Sequence, residues 1–107
     1  MRGDIVTITA QGDYGKPRPA LIIQSDRFSE HGSVTVLPFS SKIISAPLLR
    51  VTVEPDAENG LQKTSQVMID KAMTMKRIKV GAAFGHINED LLIEIERCLA
   101  VFLGIVK

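Results

Sequence analysis

The chain has one cysteine, Cys98, so no disulfide can form within it, and this scarcity fits a reducing compartment. Tryptophan is absent, and one tyrosine, Tyr14, stands beside four phenylalanines, which is too few aromatics for a groove that grips proline-rich peptides. The two histidines, His31 and His86, lie far from each other and from Cys98, so no pair has metal-ligand spacing and no metal or other cofactor is expected. No charge-free apolar run approaches the length that crosses a bilayer. Met1-Arg2-Gly3-Asp4 leads straight into a strand pattern rather than a signal peptide, so a cytoplasmic chain with no membrane partner is expected. No glycine-rich turn follows a strand and opens a helix. Gly12 and Gly15 precede a strand, which excludes the usual nucleotide-phosphate loop. Repeats, low-complexity tracts and linkers are also missing, and 107 residues suffice for one core, so residues 1–107 are read as a single domain.

What the chain does have is Gly12-Asp13-Tyr14-Gly15-Lys16-Pro17-Arg18-Pro19, running directly into Ala20-Leu21-Ile22-Ile23-Gln24. The first part, with two glycines and two prolines, is unsuited to helix or central strand. The second is an unbroken apolar run of strand length, the pattern of a buried strand. Arg18 thus stands at a loop-to-strand junction between Pro17 and Pro19, each of which biases the residue before it toward extended geometry. A guanidinium anchored in this way presents its planar fork to a phosphate at little ordering cost; the plainer reading is a surface arginine paired with a carboxylate. The formal net charge of +1 says little about a polyanionic partner, but its distribution says more. Lys63, Lys71, Lys76, Arg77 and Lys79 make one segment basic, while Glu89, Asp90, Glu94 and Glu96 make another acidic.

Taken in order, Asp4 to Ala10 is a β-branched first strand and Arg18 to Gln24 a second. Residues 25–32 read as one helical turn or an irregular loop. Val34 to Phe39 is a third strand, in which Pro38 predicts an edge position or an end. Leu49, Val51 and Val53 alternate inward along a fourth strand, Asn59-Gly60 marks a tight turn, and Ser65 to Met75 reads as one longer extended segment. Gly81 and Gly85 bracket at most a short strand. The one secure helix has Asn88 as N-cap, Glu89 and Asp90 in its first turn, and an apolar stripe through Leu91, Ile95, Cys98 and Phe102, broadened by Leu92, Leu99 and Leu103. Gly104 is its stop. Short strands followed by one amphipathic helix predict a mostly β chain with a C-terminal α-helix, built as a small antiparallel barrel with the helix on one side. The apolar stripe, with Ile43 and Ile44 in a loop, leaves surface for a second copy.

Five pieces of this chain occur in the same order in a known family: Arg2-Gly3-Asp4-Ile5-Val6, Gly15 through Ile23, Leu37-Pro38-Phe39-Ser40-Ser41, Ser65 through Lys71, and Leu99-Ala100-Val101-Phe102-Leu103-Gly104. Each is weak alone, but together they resemble the MazF/PemK family of toxin–antitoxin endoribonuclease toxins. The resemblance implies an SH3-like barrel of the plasmid-maintenance toxin type and a homodimer. It also implies metal-independent, sequence-selective cleavage of single-stranded RNA, including mRNA, and inhibition by a cognate antitoxin with an acidic, disordered tail.

Carried over by residue, the resemblance makes Arg18, Ser40 and Asp70 catalytic. Arg18 matches a loop-to-strand arginine, Ser40 a hydroxyl residue at the end of the third strand, and Asp70 an acidic residue used by some members as a general base. Tyr14, Lys16, Ser41, Lys71, Lys76 and Arg77 are the expected RNA contacts. Two departures stand out: Met73-Thr74 replaces a common Arg-Thr pair, and Met68 stands where some members are basic, leaving Lys71 or Lys16 as substitutes. The chemistry suits these residue types. RNA carries its own nucleophile, the 2′-hydroxyl, so the protein must supply a base, an acid and charge stabilisation at phosphorus. The plainer readings are a strand-end hydroxyl for Ser40, an ion pair with Arg18 or Lys71 for Asp70, and a solvated turn for Lys76 and Arg77. Two other classes of function share the architecture: a CcdB-like gyrase-inhibiting toxin and a non-catalytic SH3-like binding module. The first acts through the end of its C-terminal helix, which here reads Phe102-Leu103-Gly104-Ile105-Val106-Lys107, too apolar for an exposed recognition tip.

Overall fold

A computed structural model describes residues 1–9 and 16–107. These residues form seven strands and one α-helix: β1 (Asp4–Thr9), β2 (Pro17–Ile22), β3 (Ser33–Ser40), β4 (Arg50–Val53), β5 (Ser65–Met68), β6 (Met73–Lys76), β7 (Val80–His86) and α1 (Glu89–Phe102). Single 3-10 turns lie at Asp26–Phe28, Ile69–Lys71 and Arg77–Lys79. All pairings are antiparallel, in the order β4-β5-β3-β2-β1-β7, with β6 joined to β3. Among the described residues no helix is long and apolar enough to cross a membrane.

The apolar stretches of β1 to β3, Ile5-Val6, Ala20-Leu21-Ile22 and Val36-Leu37-Pro38-Phe39, follow from burial on both faces. Successive side chains in a strand point to opposite sides, so a doubly covered strand needs apolar residues at every position. Ile5, Leu21, Leu37 and Phe39 face one core with Val51, Val53, Val67, Ile69 and Ile95. Val6, Ile8, Ala20, Ile22, Val34 and Val36 face a second, smaller one, roofed in part by Met73 and Met75.

The segment from Ser65 to Met75 is not one strand but two, and both run along β3. β6 pairs with the first half of β3, Ser33 with Lys76 through Val36 with Met73. β5 pairs with the last two residues, Phe39 with Val67 and Ser40 with Gln66. The register slips by three residues between these ladders, and the Ile69–Lys71 turn supplies those three. Pro38 sits opposite this break. Contrary to the sequence expectation it lies inside a central strand, paired with Ala20 of β2 on its other side. A missing amide is tolerated there because the outer neighbour has left the ladder.

α1 begins at Asn88, whose Oδ1 accepts the Leu91 amide at 2.9 Å. It ends with Gly104 at φ +76°, Ile105 N–H donating to Ala100 C=O at 2.9 Å and Gly104 N–H to Val101 C=O at 3.1 Å, a Schellman closure. The helix packs on the Ile69–Lys71 turn and β4. Ile95 is fully buried, and Leu91, Leu92, Cys98 and Leu99 pack against the core. The stripe does not stay covered, however: Phe102, Leu103, Ile105 and Val106 are exposed, because the helix outruns the sheet it lies on. Cys98 is free and half-buried, and burial together with the nearby Glu94 charge pushes its thiol pKa up, which keeps it protonated and unreactive.

Among the described residues the sheet does not close through hydrogen-bonded strands, so the barrel expectation holds for strand content and packing but not for the ladder. β4 and β7 are its two ends, and the β4–β5 loop bridges to β7. Asn59 is buried and fastens this loop: its amide donates to Glu54 C=O at 2.8 Å and its Oδ1 accepts the Asp56 and Leu61 amides. The loop then docks on β7, with the His86 amide donating to Glu58 C=O at 2.9 Å. A Cβ on Gly85 would lie 1.9 Å from the Asn59 carbonyl oxygen, and one on Gly60 2.8 Å from that of Phe84. Only glycine permits so close an approach.

Candidate functional site

β2 keeps its β1 partner along its whole length, Pro17 opposite Thr9 and Pro19 opposite Thr7, but it joins β3 only from Ala20 onward. The strand therefore begins at Pro17, and both prolines lie where it has one neighbour, the setting proline tolerates. Where β2 and β3 separate, a cavity of about 820 Å³ opens. Continued by two residues, the β2–β3 register sets Arg18 level with Ser40.

The cavity gathers residues distant in sequence. Lys16 comes from just before β2, Arg18 from its start, Ser41 from just beyond β3, Lys63 from the β4–β5 loop, and Phe84 from β7. Lys16, Arg18 and Lys63 place three cations on one opening, and no carboxylate occurs among its described lining residues. The arrangement suits a phosphodiester: a rigidly based guanidinium, two ammonium groups and a hydroxyl. Sequence reasoning counted Lys63 only within a basic segment, not as a site residue, and missed Phe84. Neither carries a local signal, since both reach the cavity through the docking of the β4–β5 loop on β7.

The other expected residues are spread more widely. Ser40 ends β3 half-buried, and its Oγ accepts the Lys42 amide at 3.1 Å, which leaves the hydroxyl proton free to be donated. Asp70 lies in the Ile69–Lys71 turn and does not line the cavity. Its carboxylate accepts from Arg50 Nη1 at 2.5 Å and lies 3.7 Å from Lys71 Nζ. Lys71 is exposed beside it. Lys76, opposite Ser33, stands at the far end of β3, roughly 23 Å of strand away from Ser40. Arg77 is committed to the 25–33 loop, where its Nε donates to His31 C=O at 2.8 Å and its backbone amide to Gly32 C=O at 2.9 Å. Tyr14 lies outside the described residues.

Burial raises the Asp70 pKa, but the hydrogen bond from Arg50 and the charges of Arg50 and Lys71 outweigh it, holding the carboxyl below its usual value of 3.8. The geometry is that of an ion pair that joins β4 to the turn beneath α1. Because its folded pKa is depressed, this stabilisation is present at neutral pH and is lost as pH falls through the folded value. Asp70→Asn should therefore cost about 1–2 kcal/mol at pH 7, the scale of a charge-assisted hydrogen bond. The difference from wild type should fade below about pH 3.8. Denaturant melts at pH 7 and pH 3 check this, and a pH-independent difference would contradict it.

A family model described as the PemK-like, MazF-like toxin of type II toxin–antitoxin systems matches residues 1–103. A probable endoribonuclease MazF of Mycolicibacterium smegmatis is 49% identical over 105 residues, covering 97% of this chain and 96% of the relative. Among solved structures, a mycobacterial endoribonuclease in complex with its cognate antitoxin superposes with a TM-score of 0.83 at 20% identity, covering 100% and 97% of the two chains. Mycobacterium tuberculosis toxin MazF-mt6 does so at 0.81 and 22% identity, covering 94% and 96%. At that identity the superpositions speak for the fold. The gyrase-inhibiting and binding-module readings gain no support from these matches.

Proposed function

Because the chain belongs to the PemK-like, MazF-like toxins of type II toxin–antitoxin systems, we propose that it is an endoribonuclease whose active site is the basic cleft at Arg18. The observation that carries this reading is the guanidinium held between Pro17 and Pro19 in a cleft that also collects Lys16, Lys63 and Ser41. The substrate is single-stranded RNA, met in the cytoplasm and cut at selected sequences. The 2′-hydroxyl of the nucleotide 5′ of the cut gives up its proton to solvent as its oxygen bonds to the adjacent phosphorus, closing a 2′,3′-cyclic phosphate, and the bond to the 5′-oxygen of the next nucleotide breaks, that oxygen taking up a proton as it leaves. Arg18 holds two phosphate oxygens and strengthens its grip as charge grows in the transition state. Ser40 and Ser41 supply hydroxyl donors, while Lys16 and Lys63 neutralise the flanking backbone. Asp70 supports the site through Arg50 and the turn, and the more distant Lys71, Lys76 and Arg77 lie on the outer path of a longer RNA.

The exposed apolar end of α1 supports a homodimer, in which a second copy covers Phe102, Leu103 and Ile105. The inhibitor is a cognate antitoxin whose acidic, disordered segment folds into the cleft and competes for its cations.

One assay tests the reading. The purified chain is incubated with a short RNA containing a mapped cut, with its twin carrying 2′-deoxy at the nucleotide 5′ of that cut, and with excess chelator. Cutting should survive the chelator and cease on the deoxy twin, and light scattering in the same buffer should give twice the chain mass. Undiminished cleavage of the deoxy twin would refute the mechanism.

A further inference from the structure

Phe84 is 43% exposed on β7, the end strand of the sheet, yet it lines the same cavity as Lys16, Arg18 and Lys63. The ring is also braced: a Cβ on Gly60 would lie 3.1 Å from Phe84 Cδ1, so the turn backbone rests directly on it. An aromatic plate that is exposed, braced on one side and shares its cavity with three cations suits the way single-stranded nucleic acid is held, with bases on π-faces and phosphates on ammonium and guanidinium groups. A cavity of about 820 Å³ also takes a ligand larger than one phosphate.

We infer that Phe84 is the stacking platform for a nucleobase next to the phosphate held at Arg18. This rests on the RNA-cleaving reading for the identity of the ligand, and it assigns Phe84 a role in substrate positioning that its sequence context does not disclose. The favoured occupant is a base rather than a protein side chain because the three cations on the same cavity suit a polyanion beside the ring.

The test measures affinity for a short 2′-O-methylated RNA, which lacks the nucleophile and cannot be cut, so that binding is read apart from chemistry. Wild type, Phe84→Leu and Phe84→Tyr are compared, and one abasic sugar is moved along the RNA. Phe84→Leu should weaken binding on the order of tenfold, the scale of one stacked base, and Phe84→Tyr should stay near wild type. At one position the abasic sugar should cost wild type a similar factor and cost Phe84→Leu almost nothing, because the two changes remove the same contact. The abasic arm alters the RNA alone, so it reads the contact even where Phe84→Leu folds poorly. Equal affinities for wild type and Phe84→Leu overturn the inference, as do equal abasic costs at every position. So does a change in sedimentation mass with RNA affinity intact, which would place Phe84 in a protein interface. Cleavage of unmodified RNA is scored separately. Cutting with no Phe84 effect removes the stacking platform alone, and a Phe84-dependent affinity without cutting removes the nuclease reading alone.

Discussion

Arg18→Lys should lower turnover on the order of 10²-fold or more, the scale of losing one charge-stabilising donor, while RNA affinity falls far less. The asymmetry follows from what the substitution keeps and what it removes. A lysine preserves the positive charge, and Lys16 and Lys63 remain on the same opening to neutralise phosphates. It removes the planar fork that grips two oxygens together, and that grip matters most when charge has built up on phosphorus. The strand beneath should be undisturbed, since Arg18 is exposed and its backbone is set by Pro17, Pro19 and the pairing with β1. Single-turnover rates at saturating protein, measured beside equilibrium binding to an uncleavable RNA, separate the two effects. Full turnover by Arg18→Lys would show that the guanidinium is not at the reacting phosphate.

The second large effect is expected far from that chemistry. Gly85→Ala would put a methyl group 1.9 Å from the Asn59 carbonyl oxygen, a backbone atom that cannot swing aside. The β4–β5 loop must lift from β7, straining the Glu58–His86 bond and the buried Asn59 network with it. We expect a loss of about 3 kcal/mol, at the upper end for overpacking, and a melting temperature lower by roughly 10–20 °C in a chain of this size. Gly32→Ala is the control: nothing lies within 4 Å of its Cβ position, so stability should change by less than about 0.5 kcal/mol. The lifted loop carries Lys63, so RNA affinity should fall in the first variant and not in the second. A Gly85→Ala protein melting within about 2 °C of wild type would show that the loop can move away at little cost.

These two positions also show what could be read from sequence. Arg18 was legible because its constraint is local, with a proline on each side and an apolar run after it. The helix was legible because a cap, an acidic first turn and a glycine stop are all encoded within one segment. The contact between Gly85 and Asn59 left no such trace: it joins a strand to a turn, and Gly85 looks like ordinary punctuation. The pairing of Asp70 with Arg50 spans twenty residues and depends on the β4–β5 register, so spacing along the chain could not reveal it. The break in the segment from Ser65 to Met75 was partly visible, since Asp70 and Lys71 interrupt its apolar character. That both halves would pair with one strand, and that Pro38 would mark the junction, needed the fold.

The prolines of β2 have an effect beyond fixing Arg18. Residues 17 and 19 turn their backbone groups to the same side of the strand, so along that side two consecutive positions offer carbonyl oxygens and no amide hydrogens. An extended peptide cannot zip itself onto such an edge, because half of the reciprocal bonds that β-augmentation requires have no donor. Nor can β3 close the gap by extending its own ladder. The opening is thus protected against being healed from within or filled by a stray strand, and what it admits must be held by side chains rather than by backbone.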